Sequence, residues 1–161
     1  MEFTLVMMLL FCMIFILLNI AWAIFAKSTL QRAVRIGVRT GIATSTVTAG
    51  GSLTATVKDT VQANALGLLN GTKGRAYIKV NYFMPPSYSS SSAPIDVSTT
   101  LNADVGGNIM QVSVQGFSLV PIVPRIFSWS QTADESPLIV NVYAADLIEP
   151  NRTPPPVGTA P

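Results

Sequence analysis

MEFTLVMMLLFCMIFILLNIAWAIFA, residues 1–26, is an apolar run broken only by Glu2, Thr4 and Asn19. As a helix, the stretch from Phe3 to Ala26 spans roughly 36 Å at about 1.5 Å per residue, enough for a hydrocarbon core of about 30 Å. It is longer than the ~7–15-residue apolar core of a signal peptide. Neither a basic start nor a small-x-small cleavage site frames it, so a retained membrane anchor is expected.

The pattern beyond the run stays helical but becomes two-faced. Leu30, Val34, Gly37 and Gly41 recur at steps of three and four, while Arg32, Arg35 and Arg39 form a basic face on the other side. The apolar and amphipathic parts read as one N-terminal unit, residues 1–48, forming a rod of roughly 65 Å from about residue 2 to 45. An anchor alone does not need that length. Gly37 and Gly41 sit one turn apart on the apolar stripe, which lets another backbone approach closely. That backbone belongs either to a neighbouring subunit or to the chain's own head.

The remainder has room for one small core, an α+β head over residues 49–148. Ala49-Gly50-Gly51 breaks the first helix and Ser52 is placed to cap a second. The second helix is expected to run to about Leu69 and to pack on a sheet. Its apolar stripe is Leu53, Val57, Val61, Ala65 and Leu68, and Asn70-Gly71 supplies its stop. Alternation from Ala76 to Met84 predicts a strand, and runs at 95–102, 109–120 and 138–147 complete an antiparallel meander. Pro85-Pro86 with the following Ser/Tyr run, and Asp104-Val105-Gly106-Gly107-Asn108, read as loops. Residues 149–161 hold five prolines and read as an extended tail.

Composition removes most chemistries. The 161 residues contain no histidine and one cysteine, Cys12, which lies inside the apolar run. The usual zinc ligands, Ser-His triads and Cys-His pairs are therefore missing, and no enzyme is expected. The only adjacent carboxylates, Asp134-Glu135, lie in a polar loop without a calcium-loop pattern. Gly106-Gly107 lacks the lysine and helix of a phosphate cradle. No cofactor, metal or small-molecule substrate is expected. With 11% charged residues and a net charge of +2, nothing points to nucleic acid. Asn70-Gly71-Thr72 and Asn151-Arg152-Thr153 fit the N-x-[ST] pattern, so Asn70 and Asn151 are candidate glycosylation positions.

Met1-Glu2-Phe3-Thr4-Leu5-Val6 resembles the "EF-[AT]-L-V" start of TadE-like pseudopilins, relatives of the type IV pilins of tight-adherence pili. Arg32-Ala33-Val34-Arg35-Ile36-Gly37-Val38-Arg39 is similar to the family's "A-A-R-x-G-A-R" segment just beyond the membrane. Phe117 to Pro124 resembles its aromatic and proline-rich element before the last strand. The resemblance implies a lollipop-shaped subunit that waits in the inner membrane with the pilus assembly machinery and is extracted into a cell-surface filament of identical subunits. Family leaders are basic and are cleaved before a glutamate. Here the glutamate follows Met1 directly, so Met1 is either the mature residue of a longer precursor or the end of a minimal leader. The assembly residues expected on this reading are Glu2, Phe3, Gly37 and Gly41. Two alternatives remain: a minor pseudopilin, and a single-span protein whose periplasmic head binds a partner.

Overall fold

The computed structural model describes residues 2–44, 53–86, 93–100, 103–120 and 138–149. One helix, α1 (Glu2–Ala43), carries the apolar run without interruption into the amphipathic segment. At about 1.5 Å per residue it is roughly 63 Å long. The head follows as α2 (Leu53–Asn64), α3 (Gly71–Ala76), β1 (Ile78–Met84), β2 (Ile95–Asp96), β3 (Ile109–Leu119) and β4 (Leu138–Leu147). The class is α+β, with a transmembrane-like helix joined to a four-stranded antiparallel sheet.

The second half of α1 belongs to the head. Ala26, Leu30, Ala33 and Val34 are fully buried and Val38 nearly so, whereas most of the helix before them is exposed. This stripe lies across β3 and β4 and along α2, and α2 in turn covers β1. Small residues on α1 make the close approach feasible. Val57 and Val61 of α2 fill the space that glycine leaves at positions 37 and 41, which is the fit expected where dense packing must be reached with stiff side chains. Tyr82 completes the core from β1, with its hydroxyl 3.2 Å from that of Thr54 on α2.

The sheet order is β2-β1-β3-β4, with every neighbouring pair antiparallel. β1, β3 and β4 follow one another as a meander does. β2, expected over 95–102, is only two residues long and folds back on the outer edge of β1. Val97 still donates its amide to the Tyr82 carbonyl in the same register, but the Tyr82 amide donates to Ser98 Oγ and the Val97 carbonyl accepts from Thr100, which ends the pairing. β3 contains a bulge. Val114 faces Val142 and Phe117 faces Val140, so Gln115 and Gly116 together oppose Asn141. Gly116 has φ +73°, and its amide donates to Asn141 Oδ1 at 2.8 Å. The extra residue changes which positions face inward, from Met110, Val112 and Val114 to Leu119.

Two further expectations are corrected. α2 stops at Asn64 rather than near Leu69, because Leu66 (φ +48°) and Gly67 (φ +82°) turn the chain out of the helix. The turn buries Leu69 where a continuous helix would have buried Leu68. Asn70-Gly71 is therefore not the stop; it opens α3, a single basic turn absent from the sequence reading. The Gly50-Gly51 break, the Ser52 cap, the serine loop, Pro121 to Pro124, Asp134-Glu135 and the proline tail lie outside the described residues.

Candidate functional site

Three features of α1 stand out once the fold is in place. The first is its free half. Phe3, Val6 and Leu9 are 76%, 64% and 73% exposed, and the large apolar side chains continue outward through Phe25. The most apolar 18-residue window of the helix has mean hydropathy 2.6 and none of it is buried. A soluble monomer rarely exposes so large a contiguous apolar surface, so this one requires lipid or protein around it. Phe11 and Phe15 stack on one side at 6.2 Å, and Trp22 stacks on Phe25 at 5.7 Å where the helix enters the head. Glu2 is the first helical residue, and Phe3 beside it is exposed. Cys12 is a half-buried free thiol within the run.

The second feature is the glycine pair. A Cβ on Gly37 would collide with the Val61 methyl, and one on Gly41 would stand 2.6 Å from Met110 Sδ and 2.9 Å from Val57 Cγ2. Both glycines are buried. Of the two backbones they could accommodate, the structure places the chain's own head against them.

The third is a groove of about 1020 Å³ between α1 and β4, lined by Arg32, Arg35 and Arg39 on one side and by Tyr143 and Asp146 on the other. The three arginines are exposed, as their spacing predicts. Among the described residues none of them has a hydrogen-bond or ion-pair partner. Among the described residues an ion pair joins Arg75 of α3 to Asp59 of α2, away from the groove. Tyr143 and Asp146 were not visible as site residues in the sequence, because only the register of β4 brings them beside the helix.

Elsewhere the titratable groups are structural. Asp104 is buried in the turn before β3, and burial raises its carboxyl above the usual range, opposed by a backbone hydrogen bond. Its Oδ1 has no hydrogen-bond partner. The same turn is tied to the end of β4 by Gly107 (φ +97°), whose amide donates to the Ile148 carbonyl at 2.8 Å. Tyr82 is pushed up to about 12, chiefly by burial. Asp96 is lowered by hydrogen bonds from the Ser98 hydroxyl and amide. Among the described residues no cluster of carboxylates or cysteine is arranged to hold a metal. Asn70 is exposed between α2 and α3 with Gly71 and Thr72 beside it, while Asn151 lies outside the described residues.

The profile of a family described as TadE-like protein matches residues 1–39. The match covers the free half of α1 and most of its docked half, and it stops before the rest of the head. Over those residues the helix is similar to the TadE-like family, and it is long and apolar enough to cross a membrane. The resemblance read from residues 2–6 and 32–39 falls within it. No curated protein and no solved structure matches the chain.

Proposed function

We propose that the chain is a structural, non-catalytic subunit of a type IV pilus-like filament, built by packing the free half of α1 against the same helix of identical subunits. The observation that carries this reading is the division of α1 near Ala26. Its second half is fixed in the head, so that the first half projects as an uncovered apolar rod. In the bilayer lipid covers that rod. In a filament neighbouring rods cover it, and the head is carried to the outside.

Lipid tails are as apolar as leucine, so leaving the membrane gains little from the hydrophobic effect itself. The transfer must be driven by close packing between helices and by the many contacts of a polymer. The TadE-like match over the same helix supports a pilus setting, and the Ser- and Thr-rich head suits an exposed surface for attachment. The subunit would reside in the inner membrane with the assembly machinery before extraction.

The test is to shear cells expressing the chain and to probe the released material with an antibody against the head. Labelled thin filaments support the reading. A chain that stays entirely in the membrane fraction, with no filament labelled, supports a single-span protein whose head acts in the periplasm.

A further inference from the structure

We propose that the groove between α1 and β4 binds the phosphate of an anionic phospholipid while the free half of α1 lies in a bilayer. The inference needs only the membrane-embedded state, so it stands or falls separately from filament assembly.

One face of α1 carries both halves of the argument. Ile14, Leu17, Ala21 and Ile24 follow one another at steps of three and four, and all lie on the exposed side of the free half. Continuing the same steps past the end of the apolar run gives Ser28, Arg32, Arg35 and Arg39. The apolar track thus leads into the basic groove without changing face. That polarity matches an amphiphile, with acyl chains along the track and a phosphate at its end; a free anion would have no use for the track.

Position agrees with this assignment. Arg32 lies six residues beyond Ala26, roughly 9 Å along the axis. The polar layer outside the hydrocarbon is about 5–7 Å deep on each side. Helical side chains lean towards the N-terminus, which here is towards the bilayer, and a long arginine stem covers the remaining distance. Arg32 and Arg35 therefore reach the phosphate level, and Arg39 adds positive charge from above.

The groove is prepared for an anion. Three guanidiniums that have no partner among the described residues line it, against one carboxylate, that of Asp146. Guanidinium forks suit phosphate oxygens. Tyr143, 69% exposed in the groove wall, has an apolar ring and a polar tip, the amphipathic character favoured at membrane interfaces.

The test uses the full chain in lipid nanodiscs containing equimolar phosphatidylglycerol and phosphatidylcholine. Lipids retained after release into the gas phase are counted by native mass spectrometry. The wild-type chain should retain phosphatidylglycerol over phosphatidylcholine by about tenfold, because basic residues near the surface attract anionic lipid. Combined Arg32→Gln, Arg35→Gln and Arg39→Gln should bring the ratio to parity. Lys58→Gln, Lys73→Gln and Lys79→Gln together, which remove the same charge elsewhere on the head, should leave the preference in place. Circular dichroism checks that both triple variants fold, and the single Arg32→Gln variant carries the test if the arginine triple does not. Parity in the wild type, or an equal loss in the lysine variant, overturns the proposal. Displacement of the lipid by millimolar inorganic phosphate also overturns it, by making the groove a site for free anions.

Discussion

Gly41 of α1 lies so close to Met110 of β3 that a Cβ at position 41 would stand 2.6 Å from the Met110 sulfur. Together with Gly37 against Val61, this fixes the second half of α1 to its own head, while the first half has no partner among the described residues. The helix that matches the TadE-like model over residues 1–39 is thereby anchored at one end and projects at the other.

Substitution at the two glycines should separate this seam from a contact between subunits. Alanine gains up to about 1 kcal/mol of helix propensity over glycine, but overpacking a tight contact costs about 1–3 kcal/mol. At Gly37 the obstacle is a branched valine that cannot swing aside, so Gly37→Ala should lower stability by about 1–2 kcal/mol net. Gly41→Ala should cost less because the flexible end of Met110 yields, and Gly41→Leu should cost more than either. Thermal melts of the full chain in detergent, followed by circular dichroism, decide it. A Gly37→Ala chain that melts higher than wild type contradicts the seam. Normal melting with filaments lost would move the glycines to a subunit contact.

The junction sets where the chain can be cut. Ala26 is fully buried, and Trp22 and Ala23 pack on the core, so deleting Phe3 to Ala26 would open the head. Removing residues 3–20 should instead yield a soluble, monomeric head. Size-exclusion chromatography with light scattering checks the mass. Fibres formed by that truncated chain would show that the free half of α1 is not the polymerising element.

Much of this arrangement was legible in the sequence because it rests on local periodicity. The apolar run, the Leu30/Val34/Gly37/Gly41 stripe and the alternation of β1 each follow from repeats of 3.6 or two residues. The end of β4 at Leu147 was read on the same basis. What was missed depends on contacts distant in sequence. Leu66 adopts a positive φ that its side chain disfavours, so nothing in its residue type announced the early end of α2. β2 is short because Ser98 Oγ takes the Tyr82 amide and Thr100 closes a turn onto the Val97 carbonyl. Tyr143 and Asp146 became part of a groove through strand register. The basic face itself was evident from spacing, but its lack of partners among the described residues was not.

Asp104 predicts a pH dependence. Its folded carboxyl titrates above the ordinary value, so the folded state holds a proton that the unfolded chain has already released in the window between the two. Stability contributed by the protonated form is fully present below the unfolded value near 4 and is lost as pH rises through the folded value. Asp104→Asn, which cannot ionise, should therefore raise the melting temperature at pH 7 and leave it nearly unchanged at about pH 3. Equal shifts at both pH values would mean that ionisation at this site does not matter.

Glu2 opens α1, where a carboxylate gains about 0.3–1 kcal/mol from the helix dipole. If it also meets a positive group of a neighbouring subunit, Glu2→Ala should leave membrane insertion intact and reduce incorporation into filaments. Fractionation and immunoblotting of membrane and sheared material read both quantities. An unchanged filament yield would leave Glu2 as an ordinary helix-start residue.

The most direct test of the central claim is electron microscopy of sheared surface material from cells expressing the chain, labelled for the head and reconstructed by helical averaging. The account predicts labelled filaments whose central density is a bundle of α-helices, one per subunit, with heads outside. Filaments that lack the label, or labelled filaments without a helical core, would contradict it.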